Sequence, residues 1–229
     1  MPKRNKHKPD LPNLQLLPYR QYKDANHRCD PLRFYYWPVL GKLYCRRVQF
    51  CLAECTGGQR VLEVGYGSGI TFLNLHDLYQ EIHGVELEDG SDEIAAIFRM
   101  RRLDVQLHRG SVFNLPYPEN YFDTVLLISI LEHLKPAEQD SAFAEIRRVL
   151  RPGGQVVYGV PVERPLMVFM FRLLGYNIRE HHFSTQLDVS AAAGRFLTRK
   201  RLVQMRAFSG LLGPVYEVGH YLKEEARAA

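Results

Sequence analysis

The chain has 229 residues, 46% of them hydrophobic and 24% charged, which suits one globular domain with a sizeable buried core. Its longest apolar run, Leu166 to Phe171, is far too short to cross a bilayer. The basic start "MPKRNKHKPD" has no apolar stretch behind it, so no secretory leader is expected and the chain reads as cytoplasmic. The net charge of +5 comes partly from Lys3, Arg4, Lys6 and Lys8, and from "RMRR", "RRVLR" and "RFLTRKR". Solvated faces explain such clusters; an anionic partner is the sharper alternative.

Residues 1–28 are polar and proline-dotted and read as a mobile basic arm ahead of a domain at 29–229. In "YCRRVQFCLAEC", Cys45, Val48, Leu52 and Cys55 share a helical stripe, with Cys51 beside it; with Cys29 these are the four cysteines, and their spacing suits core thiols better than zinc. From there strand-like and helix-like stretches alternate. "RVLEV" (60–64) predicts a strand and "ITFLNLHDLYQ" (70–80) a helix. "IHGVEL" (82–87) is a second strand, and "SDEIAAIFRMRRL" (91–103) a helix capped by Ser91 or Asp92. "DVQLHRG" is a short third strand and "FDTVLLISI" (122–130) a buried fourth. "AEQDSAFAEIRRVL" (137–150) is a helix that "RPGG" stops, and "QVVYGVP" a fifth strand. An apolar insertion at 162–183 interrupts the rhythm; "LDVSAAAGRFLTRK" then reads as a helix, and "RLVQMRAF" and "PVYEVGHYL" as closing strands. This alternation means an α/β chain with a mostly parallel, doubly wound sheet.

In such a sheet ligands bind at the carboxyl ends of the strands. There "VLEVGYGSGITFL" places Gly65, Gly67 and Gly69 after the acidic Glu63, which stands two places before the first of them. Glycines permit a tight turn and close approach of a ligand to the backbone. The spacing is G-x-G-x-G, with Ile70 where a dinucleotide fingerprint has its third glycine, and no Lys-Ser/Thr follows as in a triphosphate-binding loop.

"VLEVGYGSG" resembles the first motif of class I S-adenosylmethionine-dependent methyltransferases. "GVELEDG", "GSVFNLPYPENYFDTVLLISILEHL" and "AEIRRVLRPGGQVVYGVP" are similar to the blocks that follow it, so the resemblance covers about 57–161 and is nearest to the ubiquinone- and menaquinone-biosynthesis-like branch. It implies a Rossmann-like seven-stranded sheet of order 3-2-1-4-5-7-6 with strand 7 antiparallel, and S-adenosyl-L-methionine as cofactor. It further implies that Glu63, Gly65, Gly67 and Gly69 surround the methionine part of the cofactor. Glu86 would hold the ribose, and Leu87 would pack on the adenine. Ser111 and Val112 would meet the adenine edge, and Ile128 would lend its backbone near the amino group. The family often has an acidic residue where this chain has Ser111, which points to weaker cofactor binding.

A sulfonium methyl donor needs alignment more than acid–base help, so few residues need be chemical. His133, just past the fourth strand, is the candidate base for acceptors that need one, with a structural or substrate-orienting contact as the plainer role. His181 and His182 are sequence neighbours that point to opposite sides of an extended segment, and no spaced acid/histidine set suggests a metal. Tyr35, Tyr36 or Trp37 suits a lid or plain packing. "LISIL" replaces the Asn/Asp-Pro-Pro-Tyr motif of many base-methylating enzymes, which argues against nucleic acid. The expectation is methyl transfer to a small, apolar acceptor. A macromolecular or lipid acceptor, reached by membrane-surface contact of the insertion, and a non-catalytic cofactor-binding scaffold are the alternatives. Sequence does not fix the oligomeric state.

Overall fold

The computed structural model describes residues 11–22, 32–38, 40–162, 182–206 and 213–225. Cys29, His181 and nearly all of the apolar insertion lie outside them. Helices α1 (Tyr19–Tyr22), α2 (Leu32–Tyr35) and α3 (Leu40–Leu52) precede β1 (Gly58–Val64). Then come α4 (Phe72–His76), β2 (Tyr79–Glu86), α5 (Ser91–Arg99), β3 (Val105–Arg109) and β4 (Phe122–Ile128). A 3-10 turn at Leu131–His133 leads to α6 (Pro136–Val149), β5 (Leu150–Pro161), α7 (Gln186–Phe196), β6 (Thr198–Arg206) and β7 (Pro214–Leu222).

The seven strands form one sheet of order β3-β2-β1-β4-β5-β7-β6. β1, β2, β3, β4 and β5 pair in parallel, whereas β7 is antiparallel to both β5 and β6. Side chains alternate between two cores, as a strand period of two requires. Val61, Leu126 and Val157 face α3, α4 and α5, where Val48, Phe72, Ile94 and Phe98 are buried. Leu62, Val125, Leu127, Val156 and Tyr158 face α6 and α7, where Phe143, Ile146, Val189 and Ala192 are buried.

Several expected boundaries move. The helix expected at 70–80 is confined to Phe72–His76, and Tyr79 already pairs with Gly58 in the β2–β1 ladder. α5 is preceded by Gly90 at φ +133°, with no side-chain cap; Ser91 is its first residue, and Asp92 and Glu93 sit in the first turn, where they complement the helix dipole. The helix expected at 187–200 ends at Phe196, because Thr198 and Arg199 pair with β7. Residues 11–22, assigned to a loose arm, are docked. Asn74 Nδ2 donates to Asn13 O at 2.8 Å, Gln15 N to Asn74 Oδ1 at 2.9 Å, and Leu17 and Tyr22 are buried. Cys45, Cys51 and Cys55 are free thiols at the core, and burial pushes the Cys55 thiol up to about 12, which fits the packing role.

The basic run at Arg199, Lys200 and Arg201 lies on β6, the outer strand of the sheet, with all three exposed. Charged side chains on an edge strand block pairing with another chain, so this cluster has a structural explanation.

His83 in β2 is 1% exposed, edge-on to Tyr117, Tyr121 and Phe122 with centroids 5.4, 5.7 and 5.2 Å away. Neither ring nitrogen has a hydrogen-bond partner among the described residues, since Glu81 Oε2 at 3.6 Å is too distant for one. Burial lowers its pKa, and Glu81 offsets this only in part. His220, buried beside Glu54, shifts the same way. An unfolded histidine takes up its proton near about pH 6.5, where the buried ring stays neutral. The stability is therefore complete above that pH and is lost as pH falls below it. The melting temperature is expected to be lower at about pH 5.5 than at about pH 7.5. His83→Phe should narrow the difference in a thermal-shift series; an undiminished difference would remove His83 as its source.

Candidate functional site

The carboxyl ends of β1, β2, β3 and β4 converge on the glycine turn. Gly65 extends the ladder by donating its N–H to Val85 O at 2.8 Å, and the chain then turns at φ +73°. A Cβ at this position would stand 2.1 Å from Ile130 Cδ1, so the turn and the segment after β4 lie in direct contact. Gly67 has φ +51° and donates its amide to Glu86 Oε2 at 3.2 Å. Glu86, the last residue of β2, accepts a second bond from Leu87 N at 2.8 Å on Oε1. Both carboxylate oxygens are thus oriented by backbone amides at the mouth of the turn. Gly69 N donates to Tyr66 O at 2.8 Å and closes the turn.

Glu63, at the end of β1, is only 3% exposed and accepts a hydrogen bond from the Thr71 hydroxyl. Tyr66, between the first two glycines, is buried, and its hydroxyl has no partner among the described residues. Burial, with the Glu86 charge second, pushes that phenol well above its ordinary value. The helix after the glycines is short, Phe72–His76, and within the turn before it the Gly67 amide is bonded to Glu86.

β3 ends beside Glu86, with Gly110 N donating to Glu86 O at 2.8 Å. Ser111 opens a small turn, its hydroxyl accepting from Phe113 N at 3.3 Å, while Val112 is buried beneath. Leu87, next to Glu86 in the chain, is 66% exposed, and Phe113, in the turn that Ser111 opens, is 42% exposed. The fold therefore brings Glu63, Gly65, Gly67, Gly69, Glu86, Leu87, Ser111 and Val112 to one region.

Ile128 is the last residue of β4 and is half-buried. Ser129 follows at φ +58°, a left-handed conformation rare outside glycine and common at functional turns. It is held there by its amide, which donates to Gly159 O at 2.8 Å, and by its hydroxyl, 2.9 Å from Tyr216 Oη. Arg47 of α3 donates to Ser129 Oγ at 3.4 Å and to Tyr35 Oη at 3.3 Å. The Arg47 guanidinium lies 4.0 Å from the Tyr44 ring centre and 5.6 Å from that of Tyr216. Burial opposes its charge, yet Tyr35, Tyr216 and Tyr44 more than offset this, so the cation persists at any working pH. This tyrosine-boxed cation at the end of β4 was not foreseen from the sequence. Of the three aromatics considered for a lid, Tyr35 is buried against Arg47, the Tyr36 hydroxyl donates to Leu17 O, and Trp37 is 49% exposed.

His133 is exposed on the 3-10 turn, its ring 5.2 Å from that of His182. Buried Glu132 joins them, one ligand atom of each of the three lying within 4.8 Å of the others. Sequence adjacency had argued against His181 and His182 as a pair; the fold instead brings His182 to Glu132 and His133.

Strand order, glycine turn and the carboxylate at the end of β2 define the class I methyltransferase fold. Residues 62–158 match the family described as "Methyltransferase domain". It is 27% identical over 137 residues to a ubiquinone/menaquinone biosynthesis C-methyltransferase of Psychromonas ingrahamii, covering 55% of this chain and 53% of that one. The chain spans about half the length of the curated relatives it matches. The N-methyltransferase NodS of Bradyrhizobium japonicum, solved with S-adenosylhomocysteine, superposes with a TM-score of 0.65 at 17% identity, over 90% of this chain and 98% of that one. The [4+2]-cyclase SpnF superposes with a TM-score of 0.64 at 19% identity, over 79% of this chain and 81% of that one. Among the described residues no helix is long and apolar enough to cross a membrane.

Proposed function

We propose that the protein binds S-adenosyl-L-methionine at the glycine turn and transfers its methyl group to a small, apolar acceptor. The observation that carries this reading is the Glu86 carboxylate, fixed by the amides of Gly67 and Leu87 beside a turn where Gly65 and Gly69 admit no side chain. A carboxylate so oriented has lone pairs left for both hydroxyls of a ribose. Leu87 and Phe113 would cover the two faces of an adenine, and the Ser111 hydroxyl would meet its edge. The turn amides and Glu63 would stand around the methionine part.

When bound, the cofactor supplies a methyl group activated by a sulfonium. The chain's own part is to orient and to exclude water. Gly65 leaves room for the Ile130 side chain to pack against the turn, and Ser129 holds the end of β4 in its unusual turn. Arg47 keeps a fixed positive charge at the back of that turn, which would favour an acceptor carrying partial or full negative charge. The matched C-methyltransferase is named for quinone biosynthesis, which agrees with a small apolar acceptor. The edge-strand explanation of the basic run removes part of the support for a nucleic-acid acceptor. Fold alone does not fix the reaction, as the cyclase neighbour illustrates.

The test is isothermal titration of the folded protein with S-adenosylmethionine, followed by a product assay with panels of hydroxylated and quinol-like small molecules and of RNA. Cofactor binding with transfer to a small molecule is the expected result. No binding by a folded protein would overturn the reading, and binding without transfer to any acceptor would favour a scaffold role.

A further inference from the structure

We infer that Glu132, His133 and His182 form a binding site for one divalent transition-metal cation, of the zinc, manganese, cobalt or iron(II) class, that leaves coordination positions open for an oxygen atom of the acceptor. The metal site stands on its own geometry; the acceptor's part in it rests on the methyl-transfer reading.

One ligand atom from each of the three side chains lies within 4.8 Å of the other two. A tetrahedral cation with bonds of 2.0–2.2 Å spaces its ligands about 3.4 Å apart, so modest side-chain rotations bring these atoms into range. Glu132 is only 3% exposed, so its carboxylate is fixed within the fold. The two imidazole rings approach edge to face, at 73°.

The segments that carry the ligands are pinned to each other. The amides of Phe183 and Ser184 both donate to Glu132 O, at 2.8 and 3.2 Å, and Ser184 Oγ donates to Leu134 O at 2.7 Å. From below, buried Gln139 donates its side-chain amide to Leu131 O at 2.7 Å. On the far side Thr185 caps α7, its hydroxyl accepting from Asp188 N at 3.4 Å. Such a frame holds ligands from two distant parts of the chain in one arrangement before any ion arrives.

The donor set selects the ion. Two imidazoles with one carboxylate suit first-row transition metals, whereas magnesium and calcium prefer all-oxygen shells. Three protein ligands are the pattern of a site that keeps a position for water or substrate, not of a closed structural site. The location agrees. The ligand-bearing turn begins directly after Ile130, whose side chain abuts Gly65 of the cofactor turn. An acceptor oxygen bound there would be placed next to the methyl donor and made more acidic.

The test uses the full chain without a histidine tag, stripped of metal and titrated with cobalt(II) alone. One equivalent should bind with a visible absorption band that zinc displaces. His133→Ala and His182→Ala should each weaken binding about tenfold or more, by analogy with the cost of losing even an outer partner of a metal ligand. His76→Ala, an exposed histidine elsewhere, should leave it unchanged. Titration of the same variants with S-adenosylmethionine reports whether the fold survives. Cobalt binding lost while cofactor binding persists supports the site. A wild-type protein that binds the cofactor but no cobalt overturns it, as does a His133→Ala/His182→Ala variant that binds cobalt as tightly as wild type. Cobalt binding without cofactor binding would sustain the metal site and sink the methyl-transfer reading.

Discussion

Glu86→Ala is expected to weaken S-adenosylmethionine binding about 100-fold while leaving the melting temperature nearly unchanged. The carboxylate sits at the strand end, half-buried, and no core packing depends on it. Each hydrogen bond from a ribose hydroxyl to a charged acceptor contributes about 1.5–3 kcal/mol, and partial exposure places this pair at the lower end. The substitution also releases the amides of Gly67 and Leu87, so the glycine turn loses the group that orients it. Glu86→Gln keeps an acceptor but loses the charge and should fall between wild type and alanine. S-adenosylhomocysteine shares the ribose, so its affinity should drop by the same factor. Calorimetry with both ligands checks this. Equal affinity in wild type and Glu86→Ala would place the ribose elsewhere and remove the main support for the site.

The parallel sheet was legible because each strand-forming run is bounded by turn residues and followed by a helical period. What went astray were features that depend on partners distant in the chain. In "ITFLNLHDLYQ" the apolar residues satisfy a helical spacing, yet Leu78 O accepts the amide of Gly58 and Tyr79 joins the β1 ladder. Strand pairing overrides local preference there. Gly90 precedes α5 because it adopts φ +133°, a conformation that neither Ser91 nor Asp92 would readily take. Within the site, the glycines and Glu86 were legible because a ligand must meet backbone and carboxylate at set spacings. The box of Tyr35, Tyr44 and Tyr216 around Arg47 was not, because it closes only when α3 lies over β7. The approach of His182 to Glu132 was hidden for a similar reason: its neighbour in sequence is irrelevant, and its partner is supplied by a backbone bond across the fold.

Gly65→Ala is expected to cost about 2–4 kcal/mol, a left-handed backbone in an L-residue plus overpacking. The added methyl would lie 2.1 Å from Ile130 Cδ1 and 2.5 Å from Ile130 Cγ1. Both atoms belong to a side chain that can shift, whereas φ +73° is fixed by the bond from Gly65 N to Val85 O. The two contributions can therefore be separated. Ile130→Ala removes the collision but not the strain, so the double variant should be more stable than the sum of the single losses predicts, by about 1 kcal/mol. Denaturant unfolding of the four proteins measures this coupling; strict additivity would mean that Ile130 does not overlie Gly65. The shift forced on Ile130 also runs into the turn that carries Glu132 and His133. Gly65→Ala should consequently weaken cobalt binding as well as cofactor binding, although it touches no metal ligand. Restoration of both affinities together by Ile130→Ala would show that one contact, between the first glycine and the residue after Ser129, sets the spacing between methyl donor and acceptor site.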